Sequence, residues 1–78
     1  MKTILITGIG GDIAQSIATI LAESRPEFRL IGVDMNVRHA GYLFVDELLQ
    51  IPASSSSEYI SRIRALIEKY SVDIIIPT

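Results

Sequence analysis

The stretch that decides the fold is residues 4–14, which read ILITGIGGDIA. It begins with branched apolar residues that do not alternate with polar ones. This pattern is typical of a strand that is buried on both faces of a sheet. Gly8, Gly10 and Gly11 interrupt that run, and from Asp12 the apolar residues recur at helical spacing. A strand, a glycine turn and a helix in this order indicate the start of a parallel α/β sheet.

The segments on either side of this unit predict further alternation of strands and helices. Strands are predicted at Lys2–Thr7, at Phe28–Asp34, at about 47–51 and, as a buried strand, at 72–77. The first helix is predicted from Asp12 to about Ser24, because Pro26 disfavours helical geometry in the residue before it. Its apolar stripe consists of Ile13, Ile17, Ile20 and Leu21.

A run of four serines, residues 54–57, precedes the second predicted helix. The run is compatible with a flexible linker, but Ser55-x-x-Glu58 matches a capping box, and we favour the start of a helix. The apolar stripe of this helix consists of Ile60, Ile63, Ile67 and Tyr70.

The resulting order, β-α-β-β-α-β, predicts a three-layer, Rossmann-like parallel sheet of about four strands with right-handed crossovers. A complete doubly wound domain continues with further helices and strands after such a unit. Residues 1–78 are therefore predicted to form one domain, a truncated doubly wound sheet.

The composition excludes several classes of protein. The chain has 78 residues, of which 49% are hydrophobic and 21% charged, which is too apolar for a disordered chain. Its formal charge of 7 − 9 = −2 argues against a general surface for nucleic acid or anionic membrane. It has no cysteine and no apolar run long enough to span a bilayer, so a cytoplasmic location is predicted.

The glycine turn is the candidate site. Glycines allow backbone N–H groups to approach a ligand, and the positive end of a helix dipole favours an anion there. We predict contacts with a substrate or anion from Gly8, Gly10, Gly11 and Asp12, and from Asp34 at the end of the second strand. The alternative is a purely structural turn with an acid that caps the next loop.

The spacing of the small residues supports dinucleotide binding only in part. Gly8-x-Gly10-x-x-Ile13 lacks the third small residue of the dinucleotide fingerprint, whereas Gly8-x-x-Gly11-x-x-Ala14 supplies small residues in another register. Asp34 lies near the acidic position that binds a ribose hydroxyl in such folds. Asp12 weakens this reading, because its carboxylate competes with a phosphate for the same N–H groups.

Other catalytic arrangements are missing from the sequence. No lysine follows the glycines as a phosphate-binding P-loop requires. None of the three tyrosines is followed four residues later by lysine, so the Tyr-x-x-x-Lys pair of short-chain dehydrogenases is absent. His39 is the only histidine, which makes a transition-metal site improbable, and Asp46-Glu47 is interpreted as a solvated acidic pair rather than a cation site.

Four landmarks in order resemble a known family. They are Ile-Thr-Gly-x-Gly-Gly at 6–11, Ile-Gly-Val-Asp at 31–34, Ala-Gly-x-x-x-x-Asp-Glu at 40–47 with Ile51-Pro52 after it, and Asp-Ile-Ile-Ile-Pro-Thr at 73–78. Together they resemble the N-terminal, pre-ATP-grasp domain of ATP-grasp proteins, in particular those similar to the carbamoyl-phosphate synthase large subunit. The resemblance covers essentially the whole chain.

This resemblance implies the substrate-side domain of an ATP-dependent ligase that activates a carboxylate or bicarbonate as an acyl phosphate. It implies ATP and Mg²⁺ as cofactors of the full-length protein, held by ATP-grasp domains that follow or lie on a separate chain. No cofactor is expected on this chain, and the chain alone is not expected to be catalytic. The partners expected are those domains, a small-molecule substrate and a possible second copy of the chain.

The sequence is also compatible with two further hypotheses. The glycine turn with Asp34 is compatible with an NAD-binding half-domain of an epimerase or dehydrogenase. The apolar last strand, with Ile74, Ile75 and Ile76, is compatible with a module that functions only by pairing with itself or a partner.

Overall fold

A computed structural model describes residues 1–23, 27–36 and 43–78. Within those residues the chain forms four strands and two helices. In chain order they are β1 (Lys2–Thr7), α1 (Asp12–Ala22), β2 (Phe28–Asp34), β3 (Glu47–Gln50), α2 (Tyr59–Tyr70) and β4 (Ile74–Ile76).

The strands form one parallel sheet in the order β3-β2-β1-β4. The chain moves outward from β1 to β3 on one side and then crosses to β4 on the other side. Strand order therefore reverses between β1 and β4, and ligands of doubly wound sheets bind in the crevice at such a reversal. The predicted fold class, a Rossmann-like parallel α/β sheet, is confirmed.

The two helices cover opposite faces of the sheet. Ile4 and Ile6 of β1 pack with Ala14 and Ala18 of α1 in one core cluster. Leu5 points to the other face and belongs to a second cluster with residues of β2 and with Ile63 of α2. The strand is apolar on both faces because each face carries a helix, which is the reason for its unalternated sequence.

Helix α1 packs through a different stripe from the one predicted. Ala14 and Ala18 are fully buried, whereas Ile13 is 73% and Ile20 is 68% exposed. Small residues four positions apart let the helix axis approach the sheet closely, and this turns two of the predicted isoleucines toward solvent. Only Ile17 and Leu21 of the predicted stripe pack against the core.

Helix α2 begins later than the capping box predicted. Its N-cap is Glu58, and no side chain caps it. The hydroxyl of Ser56, rather than that of Ser55, accepts a hydrogen bond from the Glu58 amide at 3.2 Å. The predicted capping box is therefore wrong, although a helix does follow the serine run.

Strand β4 lies at an edge of the sheet and is not the buried strand that was predicted. Ile74 and Ile75 are 44% and 40% exposed. A strand at this position has a partner on one side only, and within the described residues that partner is β1.

Candidate functional site

The glycine turn joins β1 to α1 through a tight reversal. Gly8 has a positive φ of 63°, and the amide of Gly11 donates to the Gly8 carbonyl at 2.9 Å. Gly11 is the N-cap of α1 and makes no side-chain cap hydrogen bond. The first amides of a helix lack partners within it, so this end of α1 presents N–H donors and partial positive charge.

One peptide of the turn is held from both sides. The N–H of Gly10 donates to Asp34 Oδ2 at 2.8 Å, across 24 residues of sequence. The side-chain amide of Gln15, in the first turns of α1, donates to the carbonyls of Ile9 at 3.1 Å and Gly10 at 3.2 Å. The Ile9–Gly10 peptide is thus fixed between β2 and α1. The predicted Asp34 lies at the turn, whereas Gln15 was not predicted.

Gly32 allows the turn to pack closely on β2. A Cβ atom at Gly32 would lie 2.9–3.1 Å from three side-chain atoms of Ile9. Ile9 is fully buried there, and its amide donates to the carbonyl of Val33 at 3.2 Å. The apolar residue inside the glycine turn therefore anchors the turn to the sheet, a role that the sequence pattern did not reveal.

Thr78 completes the site from the carboxyl end of β4. Its amide donates to the hydroxyl of Thr7 at 3.0 Å, and its own hydroxyl donates to the carbonyl of Thr7. These bonds place Thr78 directly beside Gly8, where a Cβ atom on the glycine would lie 2.9 Å from Thr78 Oγ1. The ends of β1 and β4 are therefore joined at the reversal of strand order.

Two concave surfaces meet at Gly8 and Thr78. The first is a cavity of about 160 Å³ at the carboxyl ends of β2 and β3; its lining also includes Asp34, Met35, Ile51, Pro52, Ala53, Ser54 and Tyr59. The second is an apolar groove of about 630 Å³ beside α1; its lining also includes Gly11, Asp12, Ile13, Ala14, Ile17 and Pro77. An elongated ligand that crosses the glycine turn would contact both.

The predicted site residues fall into this arrangement as follows. Gly8 and Asp34 line the cavity, and Gly8, Gly11 and Asp12 line the groove. The amide of Gly10 is already bonded to Asp34. Contacts of these residues with a substrate or anion stay a prediction.

No candidate metal centre is present among the residues that the structure describes. The predicted solvated acidic pair has structural partners instead. Glu47 forms an ion pair with Arg29 at 2.8 Å, and Asp46 accepts the amide of Leu30 at 2.8 Å. His39 lies outside the described residues. Neither described helix is long and apolar enough to cross a membrane.

Comparison with known proteins shows a likeness among solved structures. No family model matches the chain, and no curated protein matches it. Among solved structures, the chain is similar to 4-hydroxyisoleucine dehydrogenase complexed with NADH, with a TM-score of 0.67 and 27% sequence identity. The match covers 96% of this chain and 32% of the dehydrogenase, so the chain spans about a third of that protein's length.

The resemblance to the pre-ATP-grasp domain is therefore wrong, and so are the ligase activity and the ATP and Mg²⁺ cofactors that it implied. A protein that matches nearly the whole chain is a dehydrogenase complexed with NADH. Three of the four landmarks, at 6–11, 31–34 and 73–78, include the carboxyl ends of β1, β2 and β4. Apolar strands that end in Gly, Asp or Pro are common to parallel α/β sheets of many functions. The fourth landmark begins at Ala40, in a part of the chain outside the described residues.

Proposed function

We propose that this chain is the NAD(H)-binding part of a dehydrogenase. The observation that carries the proposal is the hydrogen bond from the Gly10 amide to Asp34, which brings an acid to the open N-terminus of a helix. A dinucleotide requires both features, because its pyrophosphate is an anion and its adenosine ribose presents hydroxyl donors. The likeness to a dehydrogenase complexed with NADH supports the same reading.

In this proposal the glycine turn and Asp34 bind different parts of the dinucleotide. The first amides of α1 hold the pyrophosphate. The Asp34 carboxylate accepts the ribose hydroxyls. Each carboxylate oxygen has two acceptor sites, so Oδ2 can retain the Gly10 amide, and Oδ1 the Asn36 amide, at the same time. The negative charge of Asp34 repels the additional 2′-phosphate of NADP, and the proposed cofactor is therefore NAD.

The shape of the site favours an elongated ligand over a mononucleotide. The cavity beside Asp34 and the groove beside α1 share Gly8 and Thr78 as a common boundary. With its adenosine ribose at Asp34, a dinucleotide would cross the turn and extend its other half toward Ile13 and Pro77. The apolar lining of that groove suits an uncharged ring in this half of the dinucleotide and excludes water from the ring.

Bound NADH would supply a hydride, and the residues of this chain would bind and orient the NADH.

Asp12 opposes the binding of a phosphate, because its carboxylate competes for the same N–H groups. It lies in the first turn of α1, and its side chain makes no hydrogen bond to the described residues. The groups that bind the substrate are proposed to lie in further polypeptide, because the matching dehydrogenase is about three times as long. A small-molecule substrate, self-association and a cytoplasmic location all stay predictions.

Calorimetric titration tests the proposal. NADH should bind with measurable heat, NADPH should bind more weakly, and ATP with Mg²⁺ serves as a nucleotide that lacks the second ribose. Substitution Asp34→Ala should weaken NADH binding while the far-ultraviolet circular dichroism stays that of a folded chain. Absence of heat with millimolar NADH added to folded protein would contradict the proposal.

A further inference from the structure

The cavity beside Asp34 has the size of a site for one flat aromatic group, and several apolar residues form part of its lining. Its volume is about 160 Å³, below the roughly 300 Å³ at which complete small-molecule sites begin, so it accommodates one fragment of a larger ligand. Its lining is polar and apolar in about equal parts, and the apolar part comes from the ends of β2 and β3 and the start of α2. The apolar residues are Met35, Ile51, Pro52, Ala53 and Tyr59.

The position of Asp34 identifies which fragment enters this cavity. In the proposed function, on which this inference rests, Asp34 binds the ribose of the adenosine half. The base is attached to that same ribose and must lie within one bond of it. Asp34 itself lines the cavity, so the base enters there rather than into the groove beside α1.

Tyr59 is the aromatic residue of the lining, and it packs on the hydrophobic core. It is the first residue of α2, is half-buried, and packs against the core cluster that contains Ile51 and Ile63. Ile51, another lining residue, is attached to the end of β2, because its amide donates to the Asp34 carbonyl at 3.0 Å. A ring that is already ordered loses little conformational freedom when a base stacks on it.

We propose that Tyr59 is the residue on which the adenine base of the cofactor stacks, with Met35 covering the base from the solvent side. Met35 is exposed in this structure, and its backbone is fixed by a bond from the Gln50 side chain to its carbonyl at 3.0 Å. A thioether can move over an aromatic face without a polar group to desolvate. Base recognition is thereby assigned to the segment between β3 and α2.

The test uses three ligands: NADH, AMP, which carries the adenine half, and NMN, which carries the nicotinamide half. Tyr59→Ala should weaken AMP and NADH binding by roughly ten-fold, the size of one base–aromatic stack, and leave NMN binding unchanged. Tyr59→Phe should retain the wild-type affinity for AMP. Tyr70→Ala is the matched control, because Tyr70 packs in the same core cluster but does not line the cavity.

A spectroscopic measurement separates stacking from a structural role. Adenine H2 and H8 of bound AMP should show nuclear Overhauser effects to the ring protons of Tyr59 in the wild-type protein. If Tyr59→Ala does not fold, these Overhauser effects still show whether adenine stacks on Tyr59. The variant Met35→Ser, at an exposed position, should in addition weaken AMP binding a few-fold. NADH binding without any contact between adenine protons and Tyr59 overturns this inference alone, whereas failure of NADH to bind at all overturns the proposed function with it.

Discussion

The amide of Gly10 lies 2.8 Å from Asp34 Oδ2, so the acid at the end of β2 is bonded directly to the glycine turn after β1. Gly10 follows β1 and Asp34 ends β2, and these strands are parallel neighbours in which Thr7 pairs with Val33. Because the carboxyl ends of such strands meet at one edge of the sheet, a residue just beyond β1 and the last residue of β2 come within hydrogen-bond distance. In the proposed function, this bond joins the part of the site that would bind the pyrophosphate with the part that would bind the ribose.

Asp34→Asn should change which cofactor is preferred. The amide oxygen of asparagine can still accept the Gly10 N–H, but the charge that opposes a 2′-phosphate is lost. We expect weaker NADH binding and a fall of roughly ten-fold in the preference for NADH over NADPH, measured by calorimetric titration of both. Asp46→Asn is the control, because Asp46 also accepts a backbone amide but precedes β3 at the far edge of the sheet. An unchanged preference in Asp34→Asn would show that Asp34 does not face the ribose.

Much of the sheet could be predicted because its signals are local. The bounds of β1 and β2 follow from unbroken apolar runs that end at Gly8 and Asp34. The position of Asp34 near the turn follows from the parallel topology alone. Local pattern does not fix strand order, however, and for that reason β4 was predicted as a buried strand although it lies at an edge.

Other features depend on contacts that no periodicity encodes. Helix α1 has two possible apolar stripes, and only packing shows that Ala14 and Ala18, rather than Ile13, face the sheet. The role of Gly32 depends on the side chain of Ile9 across the sheet. Gln15 could have been suspected from its place one helical turn after Gly11, but its acceptors are set by the conformation of the glycine turn.

Gln15→Ala should loosen the turn without unfolding the chain. The substitution removes the donor to the carbonyls of Ile9 and Gly10, a loss of about 1 kcal/mol of stability for a typical hydrogen bond. Gln15→Glu should cost more, because a carboxylate would face two carbonyl oxygens. Both variants should bind NADH more weakly than the wild type. The control is Thr19→Ala, which removes a side-chain bond one turn further along α1; if it weakens NADH binding equally, Gln15 has no specific effect on the turn.

Gly8→Ala should be more destabilising than Gly11→Ala. Gly8 has a φ of 63°, and its new Cβ would meet Thr78 Oγ1 at 2.9 Å. Gly11 has a φ of −87°, and its new Cβ would lie 3.4 Å from the Gly8 carbonyl oxygen. We expect Gly8→Ala to lower the free energy of unfolding by about 1–3 kcal/mol, measured in urea, and Gly11→Ala to lower it by less. Equal losses would mean that backbone strain at Gly8 does not determine the effect.

Gly32 and Ile9 should be coupled energetically. Gly32→Ala forces a methyl group against Ile9 and should cost about 1–3 kcal/mol through overpacking. Ile9→Ala leaves a cavity in the core and should cost about 2–5 kcal/mol. In the double variant the new methyl group occupies part of that cavity, so the combined loss should be at least about 0.5 kcal/mol smaller than the sum. If the two losses in the free energy of unfolding, measured in urea, were strictly additive, the close approach of the two residues would be contradicted.

Asp73 and Asp46 attach the two edge strands to the centre of the sheet in the same way. The Asp73 carboxylate accepts the Thr3 amide at 2.8 Å, and the Asp73 amide donates to the Thr3 carbonyl at 2.9 Å. Asp46 forms the same pair of bonds with Leu30, at 2.8 and 2.9 Å. Each aspartate directly precedes its strand and fixes the start of the register there.

Removal of either carboxylate should therefore accelerate hydrogen exchange at one specific amide. In Asp73→Ala we expect hydrogen exchange at Thr3 to accelerate by roughly five-fold, which corresponds to a bond of about 1 kcal/mol, with Leu30 unchanged. In Asp46→Ala the opposite pattern should appear, so each variant is the control for the other. Exchange measured by nuclear magnetic resonance resolves both amides. Equal acceleration at Thr3 and Leu30 in either variant would indicate global destabilisation of the sheet and would contradict separate attachment of its two edges.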